Sequence, residues 1–200
     1  MKLARAKGLY NTYVTNGYMT KEALLMLYEA GLDAMNIDIK GCSPRVNKFI
    51  GAPVEPVWET AKYAISLGIH VEITTLLIPG VNDDIKCLEY IAKRVAIELG
   101  DDVPWHITRY FPQYKAKKYG LIHITPIELL EKAYSIGKKA GLKYVYIGNV
   151  PGHRLENTYC PNCGELLIKR YIFDITRINI VNHYECPKCS TKIKIIGEIV

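Results

Sequence analysis

One local pattern recurs along the first three quarters of the chain: an amphipathic stretch, then a glycine, then a β-branched or aromatic run. It appears at Gly8, Gly31, Gly68, Gly100 and Gly141. The residue after a last helical turn often needs a left-handed backbone, which glycine adopts freely, so each glycine reads as the end of a helix and the launch of a strand. Start signals agree: Thr20 precedes an expected helix 21–30, Pro56 opens 57–67, and Asn82 or Asp83 caps 84–99. Thr125-Pro126-Ile127-Glu128 is the clearest start, with a capping Thr, a proline at the first helical position and a Glu placed to reach back to the cap. The expected strands are 10–15, 34–39, 69–77, 105–110 and 144–147.

Strands alternating with helices imply right-handed crossovers and a parallel sheet covered by helices, as a barrel or an open doubly wound sheet. Residues 1–7 read as the last turns of a helix with no strand before it, which leaves strand 10–15 with an unpaired edge. A composition of 49% hydrophobic and 23% charged residues excludes disordered and collagen-like classes. Apolar runs such as 74–79 are far too short to cross a bilayer, and the first residues lack the apolar core of a signal peptide. A cytoplasmic protein with no membrane partner is expected. The net charge of +6 is too mild to imply nucleic acid by itself.

Ligands of parallel α/β folds sit beyond the carboxyl ends of the strands, so polar residues there carry the most weight. Thr15-Asn16-Gly17 follows the first strand, Asp38-Ile39-Lys40 closes the second, Pro79-Gly80-Val81-Asn82-Asp83 follows the third, and His106, Thr108 and Arg109 lie along the fourth. Asp38 and Lys40 are two apart on a strand and share a face, where they form an ion pair with each other or await a ligand. His106 is open to a structural or a functional reading, and Glu72 and Thr74 share one face of the third strand as polar support.

The last quarter differs. Cys160-Pro161-Asn162-Cys163-Gly164 and Cys186-Pro187-Lys188-Cys189 are two knuckles separated by 22 residues. Two-residue gaps let both sulfurs of a knuckle face one ion, and four thiolates close a tetrahedral shell with no position left for substrate. We expect a structural zinc ribbon on Cys160, Cys163, Cys186 and Cys189, with rubredoxin-like iron as the main rival and a disulfide pair behind both. Residues 166–181 alternate as a hairpin would. Ser190 stands where the first knuckle has a glycine, which makes the second turn less ideal. The remaining cysteines, Cys42 and Cys87, are isolated in sequence and read as a loop position and a core or helix-surface position.

Read together, Val14-Thr15-Asn16-Gly17, Asp38-Ile39-Lys40, the stretch from Leu77 through Pro79-Gly80-Val81-Asn82-Asp83, and Trp105-His106-Ile107-Thr108-Arg109 resemble the later strands of radical S-adenosylmethionine (SAM) activating enzymes. The continuation through Gly148-Asn149-Val150-Pro151-Gly152-His153 to Cys163-Gly164 resembles one subgroup, the AmmeMemoRadiSam-system enzymes, which are similar to pyruvate formate-lyase activating enzyme. The resemblance implies a partial parallel β/α barrel over residues 1–152, followed by the ribbon module over 153–200. It also implies that Asp38 holds the ribose of SAM, Lys40 its methionyl carboxylate, that His106 lies near the nucleoside, and that Asn16 lines the same mouth. Such enzymes cleave SAM at a four-iron (4Fe-4S) cluster to make a deoxyadenosyl radical.

The family holds that cluster with three cysteines at CxxxCxxC spacing, and neither this motif nor a Gly-Gly-Glu motif occurs in the 200 residues. The chain therefore looks like the C-terminal portion of a longer enzyme, a split-gene subunit whose partner chain supplies the missing strands and cluster, or a remnant without catalysis. Whether it acts as an enzyme alone stays open. A different class of role is a binding module for a partner protein or nucleic acid, because Tyr114-Lys115-Ala116-Lys117-Lys118-Tyr119 interleaves basic and aromatic residues. Nearby Asp101, Asp102, Glu128 and Glu131 make nucleic acid the less favoured partner.

Overall fold

In a computed structural model, which describes residues 1–181 and 183–197, the chain forms two sheets. The first is parallel, with strands in sequence order: β1 (Thr12–Thr15), β2 (Ala34–Asp38), β3 (His70–Leu77), β4 (Trp105–Arg109) and β5 (Val145–Gly148). Between them run α1 (Lys2–Arg5), which precedes β1, then α2 (Lys21–Glu29), α3 (Pro44–Ile50), α4 (Glu55–Ser66), α5 (Ile85–Arg94) and α6 (Ile127–Lys139). Strand order equal to chain order with a helix at every crossover is the winding of a β/α barrel, here left open because β1 and β5 pair with only one neighbour each. All five expected strands lie within two residues of the expected ends. No helix among the described residues is long and apolar enough to cross a membrane.

The apolar face of the sheet meets the helices. Met35, Ile37, Ile73, Leu77, Trp105 and Ile107 from the strands and Leu24, Trp58, Leu88, Ile91 and Leu130 from the helices are all within 1% of full burial. Trp105 Nε1 donates to Thr75 Oγ1 at 3.0 Å and Thr75 Oγ1 donates to the Ile39 carbonyl at 2.9 Å, whereas Trp58 Nε1 is buried without a hydrogen-bond partner among the described residues. Gly137 lies inside α6 because a Cβ there would meet Val145 Cγ2 at 2.9 Å and Trp105 Cε3 at 3.0 Å. The helix axis can approach the sheet only with that side chain missing.

Helix starts depart from expectation in instructive ways. Helix α5 is capped by Asp84, whose side chain accepts from Cys87 N, and not by Asn82 or Asp83. It runs into a π-helical turn, Val95–Leu99, before Gly100. Thr125 caps nothing: it is fully buried, accepts from Tyr110 N at 2.9 Å and donates to the Leu77 carbonyl at 2.5 Å, so it ties the ends of β3 and β4 together. The N-cap of α6 is Pro126. Helix α4 starts two residues earlier than expected, at Glu55. Helix α3 was not foreseen, although Ser43-Pro44 announces it: the Ser43 hydroxyl accepts from Val46 N, and proline opens the first turn.

The second sheet is antiparallel: β6 (Thr158–Tyr159), β7 (Leu166–Tyr171) and β8 (Asp174–Ile178). Residues 166–178 form the expected hairpin. Its small core comprises Tyr144, Cys160, Leu167, Ile168, Cys186 and Ile193, so the residue before β5 gives its side chain to the ribbon while its carbonyl accepts from Trp105 N in the parallel sheet. Lys194 N donates to Tyr144 Oη at 3.4 Å and Lys194 Nζ pairs with Asp102 at 2.8 Å, which draws the tail after the second knuckle under the sheet.

Candidate functional site

Alternation along each strand sends apolar side chains to the helices and leaves a polar row on the opposite face. Asn36 and Asp38 come from β2, His70, Glu72 and Thr74 from β3, His106 and Thr108 from β4, and Tyr146 from β5. Thr74 Oγ1 donates to Asn36 Oδ1 at 2.8 Å. Glu72 bonds to two histidines, His106 at 2.8 Å and His70 at 3.2 Å. Burial pushes the Glu72 carboxyl up, but the hydrogen bonds and charges of His106 and His70 outweigh it and hold the group well below the usual carboxylate range. His106 stacks on Tyr146 with centroids 5.0 Å apart, and burial raises the Tyr146 phenol to about 12, so it stays a neutral hydrogen-bonding group.

A cavity of about 1280 Å³ opens over this row, bounded on its far side by the ribbon. His106 lines it. So do Glu72, Thr108 and Arg109, also singled out from sequence, whereas Asn16, Asp38, Lys40 and Thr74 do not. Asp38 ends β2, and its carboxylate pairs with Lys40 Nζ at 2.7 Å, both side chains remaining about a third exposed. Asn16 is exposed, and its Oδ1 accepts from Tyr18 N in a local turn. The glycine after it is required: Gly17 has φ +68°, and a Cβ would sit 2.7 Å from Ile37 Cγ2 and Val57 Cγ1. The loop is thereby pressed onto the end of β2.

Asn82, expected as a helix cap, fixes a loop instead. It is 3% exposed, its Oδ1 accepts from Ile78 N at 2.7 Å, and its Nδ2 donates to the carbonyls of Lys40 and Leu76 at 2.9 and 2.8 Å. This one side chain fixes the loop after β3 to the backbone of Lys40, and so sets where the Asp38–Lys40 pair stands. The signal in sequence was an Asn one turn after proline and glycine, a pattern that serves loops as readily as caps.

The four ribbon thiols converge. Cys160 Sγ lies 3.6 Å from Cys189 Sγ, Cys163 Sγ lies 3.6 Å from Cys186 Sγ, and all four fall within 4.8 Å of one another. A tetrahedral ion with metal–sulfur bonds of about 2.3 Å needs sulfur–sulfur edges of about 3.8 Å, which this set nearly meets. The knuckles are built alike: Gly164 N donates to the Cys160 carbonyl at 3.0 Å and Ser190 N to the Cys186 carbonyl at 2.9 Å. Ser190 adopts φ +55° where the first knuckle has Gly164 at +74°, so the second turn forms despite the Cβ. Cys189 is drawn down to about 6 by the hydroxyl and backbone N–H of Thr191. Cys163 goes the other way, up to about 12: a backbone hydrogen bond at Glu165 lowers it, but burial and the other three sulfurs prevail. Four thiolates this close would need a cation beside them, and the set could hold one.

Cys42 and Cys87, expected as separate thiols, are disulfide-bonded, with Cα atoms 5.6 Å apart. Forty-five residues separate them, but adjacency of β2 and β3 brings the loop after β2 against the first turn of α5. The basic and aromatic segment is open to solvent, with Tyr114 91% and Tyr119 65% exposed and Lys115 Nζ 5.0 Å from the Tyr114 ring.

Residues 1–91 match the model of the radical SAM superfamily. The chain is 50% identical over 195 residues to an uncharacterized protein of Methanocaldococcus jannaschii, a match covering 97% of this chain and 57% of that one. It is 27% identical over 107 residues to GTP 3',8-cyclase of Staphylococcus haemolyticus, covering 48% of this chain and 32% of the cyclase. A domain of pyruvate-formate lyase-activating enzyme from Bacteroides vulgatus has the same fold, with a TM-score of 0.62 at 19% identity over 74% of this chain and 86% of that one. The strand-and-helix unit described above is thus similar to the radical SAM superfamily over residues 1–91 and shares its fold with that activating-enzyme domain.

Proposed function

We propose that these residues form the substrate-facing portion of a radical SAM enzyme of the AmmeMemoRadiSam type, in which reductive SAM cleavage precedes hydrogen abstraction from a protein or small molecule. The observation that carries this reading is the polar row on β2 to β5, because a sheet face of charged and hydrogen-bonding groups over a large cavity serves a ligand and not packing. Asp38 and Lys40 stand at a strand's carboxyl end, where the SAM ribose and carboxylate would each replace one partner of their ion pair. Asn16 and His106 would border the adenosine.

The 4Fe-4S cluster does not fit these residues. The thiols that converge among the described residues are the ribbon's four, a closed set, while Cys42 and Cys87 are bonded to each other. The cluster would be held by cysteines outside the 200 residues, upstream in a longer chain or on a partner. That view is supported by the span of the match, 57% of the archaeal relative, and by the open edge of β1, where Val14 is 77% exposed. In the ribbon, zinc is the proposed ion and its role structural. A second reading, a cytoplasmic non-catalytic subunit or ribbon module docking a partner protein or nucleic acid, is favoured by the exposed 114–119 segment.

Intact mass and iron analysis of the protein from its natural source test the proposal. A chain or co-purifying partner with cysteines at CxxxCxxC spacing and about four irons is the expected result. A 200-residue chain with no such partner and no cluster iron would overturn it.

A further inference from the structure

The carboxylates that face the cavity are already engaged. Glu72 is held by His70 and His106, and Glu156, 9% exposed, accepts from Val150 N at 3.2 Å and Gly152 N at 3.1 Å. Among the cavity's cations, Lys194 is paired with Asp102. Two arginines are not so matched. Arg170, on ribbon strand β7, donates through Nη1 to Thr158 Oγ1 at 2.7 Å and to the Glu156 carbonyl at 3.3 Å, with its guanidinium carbon 5.6 Å from the Tyr146 ring. Arg109, at the end of β4, donates through Nε to the Thr125 carbonyl at 2.9 Å. Neither forms an ion pair among the described residues, both are half-buried, and both line the cavity.

A guanidinium carries five N–H donors in a fixed fork, so each arginine keeps most of its donors while its stem or one nitrogen is fixed by a neutral oxygen. Glu72 is turned onto two histidines and Glu156 onto backbone N–H groups, so beside apolar walls such as Leu76, Ile147 and Ile168 both guanidinium groups stand without a carboxylate partner among the described residues. We infer that the cavity binds a ligand through a phosphate or carboxylate group, gripped by Arg170 and Arg109. The ribbon's metal then has a purpose beyond stability: it fixes β7, and with it Arg170, as one wall of a ligand site. The binding site stands on this geometry alone, whereas identifying its ligand as the enzyme's substrate rests on the radical SAM reading.

Inorganic pyrophosphate and citrate serve as probes of the two anion classes, titrated calorimetrically into the metal-loaded chain. We expect saturable binding of at least one, weakened about tenfold or more in Arg170→Gln and in Arg109→Gln and less in Arg170→Lys, as loss of a charge-assisted fork predicts. Retention of the ribbon metal reports that Arg170→Gln is folded; if it loses metal, Arg109→Gln, which lies outside the ribbon, decides. Failure of both probes to bind at millimolar concentration, or equal affinity in wild type and Arg109→Gln, overturns the inference. So does displacement of the probe by S-adenosylhomocysteine together with its loss in Asp38→Ala, which would assign the anion site to SAM itself. If the probe binds through the arginines while S-adenosylhomocysteine does not bind, the anion site stands and the SAM reading falls.

Discussion

The strand-and-helix unit and the ribbon reach order by different routes. In the first, side chains from four strands, β2 to β5, and four helices, α2, α4, α5 and α6, interlock around Trp58 and Trp105, and its buried polar atoms at Thr75 and Thr125 find partners within the chain. In the ribbon, six buried residues make up the core, two of them thiols, and every residue of β8 is exposed. Modules well below about 60 residues bury too little apolar surface to fold unaided, so a metal commonly supplies the difference. Burial organises one region, and the proposed metal would organise the other. The junction between them runs through Tyr144, Tyr146, the Lys194–Asp102 and His153–Glu131 pairs, and Leu155, which packs into the core of the larger unit.

The largest effect should follow from removing the metal. Chelation is expected to unfold β6 to β8, while tryptophan emission stays unchanged, because both tryptophans of the chain, Trp58 and Trp105, lie in the other region. Amide exchange would report the ribbon and fluorescence the sheet. A red shift of the tryptophan emission in step with metal loss would break the comparison, since the two regions would then melt as one through Tyr144 and Tyr146.

Next in size is the Cys42–Cys87 bond, which asks whether the larger region is as independent of cross-links as its packing suggests. A bond closing a loop of 45 residues restricts the unfolded chain by roughly 4 kcal/mol at 25 °C. Replacing both cysteines by alanine should lower tryptophan-monitored unfolding stability by about that amount, with ribbon metal retained. A loss under about 1 kcal/mol would mean that the thiols are free in solution and that packing alone holds the loop after β2.

Legibility from sequence followed the range of the signal. Strands were readable because period-2 runs and helix-ending glycines are local, and the ribbon ligands because two-residue spacing is itself the geometry of a knuckle. Asn82, Thr125 and the Cys42–Cys87 pair were misread for one common reason: each has a partner thirty or more residues away, Lys40, Leu77 or the other cysteine, and parallel winding decides which distant strand ends become neighbours. Arg170 was invisible as a cavity residue because nothing in residues 166–171 says which face of the other sheet the hairpin will stand against. The Asp38–Lys40 pair shows the intermediate case, its shared face legible from spacing and its loop support not.

The smallest expected effect lies at Glu72, on the face between the two regions. A carboxyl whose folded pKa is depressed contributes stability that is fully present above its unfolded value, about 4.3, and is lost as pH falls through the folded value. Glu72→Gln should therefore be less stable than wild type at neutral pH, by a gap that narrows as acid is added below about pH 4.3. Glu72 keeps a third of its side-chain exposure, so solvent screening limits the gap. Because His106 stacks on Tyr146, whose hydroxyl lies 3.1 Å from Thr158 Oγ1 of the ribbon, the same measurement on metal-free protein sharpens the comparison. An unchanged gap would place the Glu72 network wholly within the sheet. A smaller one would show that the ribbon helps hold His106 against Glu72, and that the polar face is shared. A gap that does not vary with pH in either form would mean that the carboxylate's charge contributes nothing to folding there.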